Sequence, residues 1–170
     1  MANIQNVRAV GDPQRAYEFE VEILGSATSG SLSLLKERVQ SVNIPETAVE
    51  VIEINYKSRK TNHAGRDASG HTATVTFWDD EQHSIYSYFK NWMEVGISNS
   101  ETGGGATRDL YAVDMIITQF GHDATTVTGT HRLTQVFPTS IGDIQLDYSD
   151  SSHQTVEVTF SFDSNLYSGA

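Results

Sequence analysis

The sequence predicts a mainly β, antiparallel domain, a sandwich or a partly open barrel, with one flanking α-helix at about residues 80–95. Three observations support this fold class. Apolar and polar residues alternate with period two in several segments, and only one segment carries an apolar stripe at helical spacing. Turn-forming residues separate the segments. The length of 170 residues fits a single domain, 1–170.

Three segments in the first half of the chain are predicted strands because their apolar residues recur at every second position. In 17–23 the apolar residues take the odd positions, and the even positions are glutamates. In 49–57 three large apolar side chains lie on one side, while Glu53 and Asn55 lie on the other. In 71–78 three apolar residues oppose a row of β-branched residues, Thr72, Thr74 and Thr76.

One segment is predicted to be helical. Asp79 or Asp80 can cap its start, and Gly96 is placed to end it in a left-handed conformation. Between them a single apolar stripe recurs at helical spacing, formed by Ile85, Phe89, Trp92 and Met93. The stripe predicts a helix that packs against the sheet.

The second half of the chain is predicted to be β again. A long strand from about 108 to 120 turns into a strand at 127–137. We expect Pro138 to end that strand because proline cannot donate to a ladder. Two further strands are predicted at 145–148 and 155–162, joined by polar turn residues into a closing hairpin.

The charge balance argues against a protein that holds nucleic acid tightly. The chain carries 11 Lys and Arg against 22 Asp and Glu, a formal net charge of −11, whereas duplex binders neutralise phosphates with cations. Solubility alone is enough to explain such a charge. A more specific alternative is that the protein must stay close to nucleic acid without binding it.

The absence of cysteine fits folding in a reducing cytoplasm. No stretch reaches the ~18 apolar residues of a membrane helix, so no membrane insertion is expected.

No catalytic, cofactor-binding or metal-binding site is predicted. The glycines at 103–105 lack the Lys-Ser/Thr of a phosphate loop. The six histidines lie at no ligand spacing, and no Gly-x-Ser-x-Gly motif is present. These absences favour a protein that is not an enzyme.

Residues 1–14 and the loop 97–107 are expected to be flexible or to become ordered on assembly.

The only concentration of positive charge lies at 57–66, where Lys57, Arg59, Lys60 and Arg66 fall close together. Three interpretations remain open at this point. The segment can be a weak nucleic-acid patch, although it lacks interleaved aromatic residues. It can also be a solvated hairpin tip, or a loop that meets an acidic surface on a neighbouring copy.

Several ordered segments resemble the tail tube proteins of contractile-tailed bacteriophages. Residues 56–65, YKSRKTNHAG, are similar to an R-K-x-N-x-A-G segment of that family. The helix and the polar loop that follow also match. The most specific likeness is FPTSIGDIQLDY at 137–148, followed by QTVEVT at 154–159. The resemblance covers roughly residues 15–165, while the ends and the loop at 24–36 match little.

The resemblance implies a structural virion protein of the phage tail, assembled in the host cytoplasm. Members of this family form hexameric rings that stack into a tube inside a contractile sheath. Baseplate, tail terminator and tape-measure proteins are the other partners, and double-stranded DNA passes through the lumen without specific binding. The family fold is similar to the haemolysin-coregulated tube protein of type VI secretion.

The sheets of neighbouring subunits are expected to join into one ring-shaped barrel. If each of six copies adds about four strands, ~24 strands spaced ~4.8 Å apart and tilted ~40° give a diameter of ~48 Å. Such a barrel leaves room for one hydrated duplex.

Three groups of residues are expected to carry these roles. The loop at 57–66 is expected to contact the next ring, through Lys57, Arg59, Lys60, Asn62, Gly65 and Arg66. The family-motif corner comprises Phe137, Pro138, Thr139, Gly142, Asp147 and Tyr148, and Ile141 and Ile144 are expected to pack back onto the core. The polar faces of the strands at 49–58 and 71–78, with parts of 109–120 and 127–137, are expected to line the lumen, through Glu53, Asn55, Thr72, Thr74 and Thr76.

Two other functions stay open. One is the tube subunit of a phage-derived contractile injection system or an R-type pyocin, which only neighbouring genes would separate from a phage. The other is a monomeric β-sandwich binding module, such as a carbohydrate binder. A carbohydrate binder would need a solvent-exposed aromatic platform, whereas the aromatic residues are expected to be committed mostly to the strands and the helix stripe.

Overall fold

The computed structural model describes residues 14–25, 32–99, 102–144, 146–149 and 151–169. The described strands are β1 Phe19–Leu24, β2 Val39–Val42, β3 Val49–Tyr56, β4 Arg59–Asp67, β5 Thr72–Trp78, β6 Val113–Phe120, β7 Val127–Ile141, β8 Thr155–Ser161 and β9 Ser164–Gly169. The helices are α1 Leu32–Glu37, α2 Ser84–Asn91, the π-helix Trp92–Ile97 and α3 Arg108–Tyr111. The predicted mainly β, antiparallel class is therefore confirmed. The expectations for 1–13, 100–101 and 145 lie outside the described residues.

Seven strands form one antiparallel sheet in the order β1-β6-β7-β8-β5-β2, with β9 also paired to β7. β7 gives this sheet its corner. Its first part, up to Val136, pairs with β6 and β9, while residues 137–141 pair with β8. Gln135 lies where β7 changes its partner strands, with a φ of 54° and a register shift beside it. Such a bulge bends a strand so that it can pass from one sheet layer to another.

The core lies between the two halves of this bent sheet. Its strand residues come from the predicted alternating segments, which confirms the alternation in 17–23, 71–78 and 155–162. They are Val21, Ile23, Ala73, Val75, Phe77, Met115, Ile117, Leu133, Val136, Val156, Val158, Phe160 and Phe162. The helix stripe is confirmed by Phe89, whose ring centroid lies 5.1 Å from that of Phe77 and 5.7 Å from that of Phe160. Burial of each large side chain contributes ~1.5–3 kcal/mol.

The helix differs from its prediction at both ends. It begins at Ser84 because the carboxylates of Asp79 and Asp80 precede it and accept hydrogen bonds from the backbone of its first turn. The predicted glycine cap is wrong. Gly96 lies inside the π-helix and does not adopt a left-handed conformation. The wider turns continue to Ile97, which packs against the core. No helix in the described part of the chain is long and apolar enough to span a membrane.

Pro138 does not end its strand, contrary to the prediction. It is buried and pairs with Phe160, and β7 continues to Ile141. Among the described strands, this part of β7 has a ladder partner on one side only, and an edge position tolerates the missing N–H of proline. The register shifts directly after Pro138, where the Thr139 hydroxyl donates to the Thr159 carbonyl at 3.1 Å.

The predicted closing hairpin is also wrong. The described residues of 145–148 form no strand, because Asp147 accepts hydrogen bonds from the amide and hydroxyl of Ser149, as turn aspartates do. β8 pairs with β5 and β7 instead. The final strand β9 was not predicted because its sequence, SNLYSG, lacks an apolar alternation. Residues 108–111 are helical rather than extended, and Arg108 there pairs with Asp163 at 2.5 Å.

Candidate assembly surfaces

The β3–β4 hairpin, here called the arm, is exposed along almost its whole length. Every residue of β3 is exposed, and Gly65 alone is partly buried on β4. The arm forms its own two-stranded sheet, and its two strands follow β2 and precede β5 in the chain. A hydrogen bond from Ala68 N to Ala48 O at 2.9 Å joins the two segments at its base. At ~3.3 Å per residue, β3 reaches ~23 Å beyond that base.

The two faces of the arm differ in polarity in the half nearest the tip, whereas nearer the base the face of Glu53 and Asn55 also carries the exposed side chain of Val51. Register places Ile52, Ile54 and Tyr56 opposite His63, Thr61 and Arg59 on what we call the apolar arm face. The three large apolar side chains there are 48%, 51% and 70% exposed. A two-stranded hairpin is marginally stable alone in water, and contiguous exposed apolar surface marks a site that another chain covers. The arm is therefore a candidate contact surface.

The polar arm face brings together residues from two of the predicted groups. Lys60 Nζ forms an ion pair with Glu53 Oε1 on this face. Asn55 lies opposite Lys60, and Asn62 lies opposite Glu53. Two residues expected to contact the next ring thus share a face with two residues expected to line the lumen. Arg59 is on the other face, and within the described residues it forms no ion pair.

Two backbone features shape the arm. Lys57 has a φ of 54°, which a tight hairpin turn requires, and its Nζ lies 5.4 Å from the centroid of the Tyr56 ring. A Cβ on Gly65 would lie 3.0 Å from the Glu50 carbonyl oxygen, so a side chain here would require the neighbouring strand to shift by a few tenths of an ångström. The prediction of a loop over 57–66 is wrong, because pairing with β3 extends the chain from Arg59 onward.

The family-motif corner does not form one surface. Its first part is structural: the Phe137 ring contacts Tyr111 edge to face at 5.5 Å, and the Gly142 amide donates to Glu157 O at 2.7 Å. Ile141 and Ile144 pack against the core, as predicted. Asp147 and Tyr148 instead lie in an exposed loop. The backbone amide of Ser149, with its hydroxyl, holds the pKa of Asp147 below its ordinary value.

The threonine row on β5 is a hydroxyl-rich surface. Thr72, Thr74 and Thr76 lie opposite Ser161, Thr159 and Glu157 of β8. Helix α2 packs on the other side of these strands, because Phe89 contacts the buried rings of Phe77 and Phe160. The structure places the threonine row on a different sheet from Glu53 and Asn55.

An open groove of about 680 Å³ is lined by residues 143–144, 146–148 and 152–155, at the end of the β5–β8 ladder farthest from the arm. Trp78 pairs with Thr155 at the groove end, whereas Thr72 pairs with Ser161 at the arm end. The groove is lined by Asp143, Ile144, Leu146, Asp147, Tyr148 and His153, among others. The sequence singled out only Asp147 and Tyr148, because the other residues follow no strand or helix period.

Several aromatic side chains are exposed, although the aromatic residues were expected to be committed mostly to the strands and the helix stripe. They lie on separate elements: Tyr17 before β1, Tyr56 on β3, Trp78 on β5, Tyr148 in the groove loop and Tyr167 on β9. In the described part of the chain, no group of three or more His, Cys, Asp or Glu is placed to hold a metal ion.

The sequence profile of the phage tail tube protein family matches residues 12–168. The chain belongs to this family. It is 33% identical over 156 residues to tail tube protein gp19 of Enterobacteria phage T4, covering 90% of this chain and 91% of that protein. Identity to tail tube protein gp19 of Enterobacteria phage T6 is 32% over the same coverage. The function of this tail tube protein is structural: it is a tube subunit.

Solved structures share the fold of this tail tube protein at low sequence identity. A chain of the sheath–tube complex of the extracellular contractile injection system PVC, in its extended state, has a TM-score of 0.68 at 16% identity, with 100% of both chains covered. A chain of the PVC sheath/tube terminator has a TM-score of 0.69 at 18% identity, covering 94% of this chain and 99% of that one.

Proposed function

We propose that this protein forms hexameric rings that stack into the inner tube of a contractile phage tail and conduct DNA during ejection. The arm is the observation that carries the proposal. It extends from one end of the subunit and exposes Ile52, Ile54 and Tyr56 on one face. A contact between unlike surfaces that does not close on itself generates an open filament, and stacking would cover the apolar arm face.

Rings are proposed to close by joining sheets between neighbouring copies. β1, β2 and β9 lie at edges of the large sheet, and edge strands present unpaired backbone groups. On β9, Leu166 and Tyr167 are 57% and 63% exposed. Joining such edges around six copies would cover this surface and leave no free edge.

The lumen is proposed to be lined by polar side chains, including Glu53, Asn55, Thr72, Thr74 and Thr76. A lumen rich in cations would trap DNA by counterion release, whereas carboxylates and hydroxyls let phosphates slide past. The net charge of −11 supports this role. DNA passes through the lumen and is not bound specifically.

The partners are proposed by extension from the relatives. The solved structures with this fold come from a sheath–tube complex, a sheath/tube terminator and a baseplate. We extend sheath, terminator and baseplate contacts to this chain, together with a tape-measure protein. The protein acts without catalysis or a cofactor, is assembled in the host cytoplasm and resides in the virion tail.

A second candidate is the tube of a phage-derived injection system. The fold likeness to PVC supports it, but the identity there is 16%, against 33% to the phage T4 tail tube protein. The phage assignment is therefore preferred. Capsid and terminase genes beside this gene are the observation that separates the two candidates.

Reversal of the arm charges tests the proposal. Arg59→Glu combined with Lys60→Glu is expected to give soluble rings but no long tubes, as judged by electron microscopy and sedimentation. Lys90→Glu is the matched control, since Lys90 is an exposed cation on α2. Normal tubes from the arm variant would contradict the stacking role.

A further inference from the structure

We propose that the groove lined by Asp143, Leu146 and Asp147 receives the arm tip of a second copy from the adjacent ring. The inference rests on the proposed stacking and names the surface that stacking uses. It commits to one occupant, the turn at Lys57–Ser58 with the flanking residues Tyr56 and Arg59.

The two surfaces lie at opposite ends of the subunit. The arm joins the β2–β5 ladder on the side of Thr72, while the groove adjoins the other end of β5, at Trp78. The seven residues of β5 separate these ends by ~20 Å, and the arm adds ~23 Å in the opposite direction. A tip therefore cannot reach its own groove, but it can reach the groove of a copy stacked head to tail.

The chemistry of the tip matches that of the groove. The tip offers the exposed Tyr56 ring with the Lys57 ammonium beside it, and Arg59 has no acidic partner among the described residues. The groove offers the carboxylates of Asp143 and Asp147 beside Leu146, which is 84% exposed. An aromatic residue flanked by cations thus meets an apolar surface flanked by anions.

Electrostatics also favours this contact over a contact between two acidic surfaces. The chain has a net charge of −11, so that copies repel each other over most of their surfaces. The only concentration of cations lies at the arm tip. Complementary charge across an interface suppresses wrong partners and fixes register. Docking in an acidic groove would give every ring the same polarity along the tube.

Disulfide trapping tests the contact directly, because the native chain has no cysteine. Ser58→Cys with Leu146→Cys places one thiol at the tip and one in the groove. In oxidised tubes we expect a ladder of covalent multimers on non-reducing gels, since each copy links to the next ring. Ser58→Cys with Gly70→Cys is the matched control, since Gly70 is exposed near the base of the arm with open space around it.

Charge exchange provides a second test. Arg59→Glu alone should lower tube yield about tenfold, and adding Asp143→Lys should restore it to within about twofold, because close charge pairs across interfaces couple. Tubes that form normally without the tip–groove ladder, together with no rescue by the exchange, would overturn the groove assignment and leave the proposed function intact. Failure of the cysteine-free parent to form tubes, even with a baseplate as nucleus, would contradict the proposed function and this inference with it.

Discussion

Lys60 pairs with Glu53 across the polar face of the arm, while Arg59 lies on the opposite face beside Tyr56. The positive charge of Lys60 is therefore already offset within the subunit, whereas that of Arg59 is available to another copy. The two cations that the sequence grouped together have different surroundings. We accordingly expect Arg59→Glu to impair stacking more than Lys60→Glu does when each is tested alone.

Gly65→Ala is expected to impair tube formation without lowering the stability of the soluble subunit. A Cβ at this position would lie 3.0 Å from the Glu50 backbone oxygen and 3.1 Å from Ile52 Cγ1, which forces the arm to distort. The arm lies outside the core, so the free energy of unfolding should change by less than ~0.5 kcal/mol. Gly70→Ala is the control because nothing lies within 4 Å of its added Cβ. Equal tube yields from the two variants would show that arm geometry does not matter.

Ile54→Ser is expected to weaken stacking because it removes apolar surface that a neighbouring copy would bury. Ile54 is 51% exposed in the isolated subunit, so a neighbouring copy would bury about half of a side chain whose full burial contributes ~1.5–3 kcal/mol. The critical concentration for tube formation, measured by sedimentation, should rise roughly three- to tenfold, because each ~1.4 kcal/mol lost corresponds to a factor of ten. Asn55→Ser, on the polar face of the same strand, should change it little. A larger effect from Asn55→Ser would reverse the assignment of the two faces.

Thr74→Lys is expected to slow DNA passage through the tube. The residue lies in the threonine row on the side of the sheet that α2 does not cover. Six added cations per ring would release counterions from DNA, and the slowing should weaken as salt is raised. Ser87→Lys adds the same charge on the exposed side of α2. Ejection kinetics that are identical in the two variants would place the lumen elsewhere.

Asp80 should make the stability of the subunit depend on pH in the acid range. Its carboxylate accepts the Ser84 amide at 2.9 Å and hydroxyl at 2.8 Å, and these bonds, with Arg38, hold its pKa well below 3.8. A lowered folded pKa means that the stabilisation is present above pH ~4 and is lost as the pH falls further.

Asp80→Asn should therefore flatten the loss of stability on acidification. The measurement is the urea midpoint of the soluble subunit between about pH 5 and pH 2.5. Asp109→Asn serves as the control because Asp109 is exposed and forms no salt bridge within the described residues. If the urea midpoints of both variants and of the native chain fell in parallel as the pH is lowered, Asp80 would not be the source of the pH dependence.

The sequence predicted the strands whose two faces have different surroundings. β1, β5 and β8 bury one face, so their apolar residues alternate and period two locates them. β9 was missed because its stability comes from pairing with β7 rather than from an apolar face. Residues 145–148 were mistaken for a strand because Leu and Tyr resemble strand residues even where a turn aspartate sets the conformation.

The candidate surfaces could be predicted only in part. Charge alone singled out 57–66, and alternation predicted two faces for 49–57. The ion pair between Lys60 and Glu53 depends on the register between β3 and β4, which cannot be read from the sequence. The groove depends on how the loop around Asp143 folds back towards Thr155, a tertiary contact without a local signal.

Electron microscopy of the purified protein at high concentration shows whether the subunits assemble into a tube. We expect hollow tubes of uniform width built from stacked six-fold rings, either spontaneously or when a baseplate is added as a nucleus. Particles that remain monomeric under both conditions would contradict self-assembly through the arm.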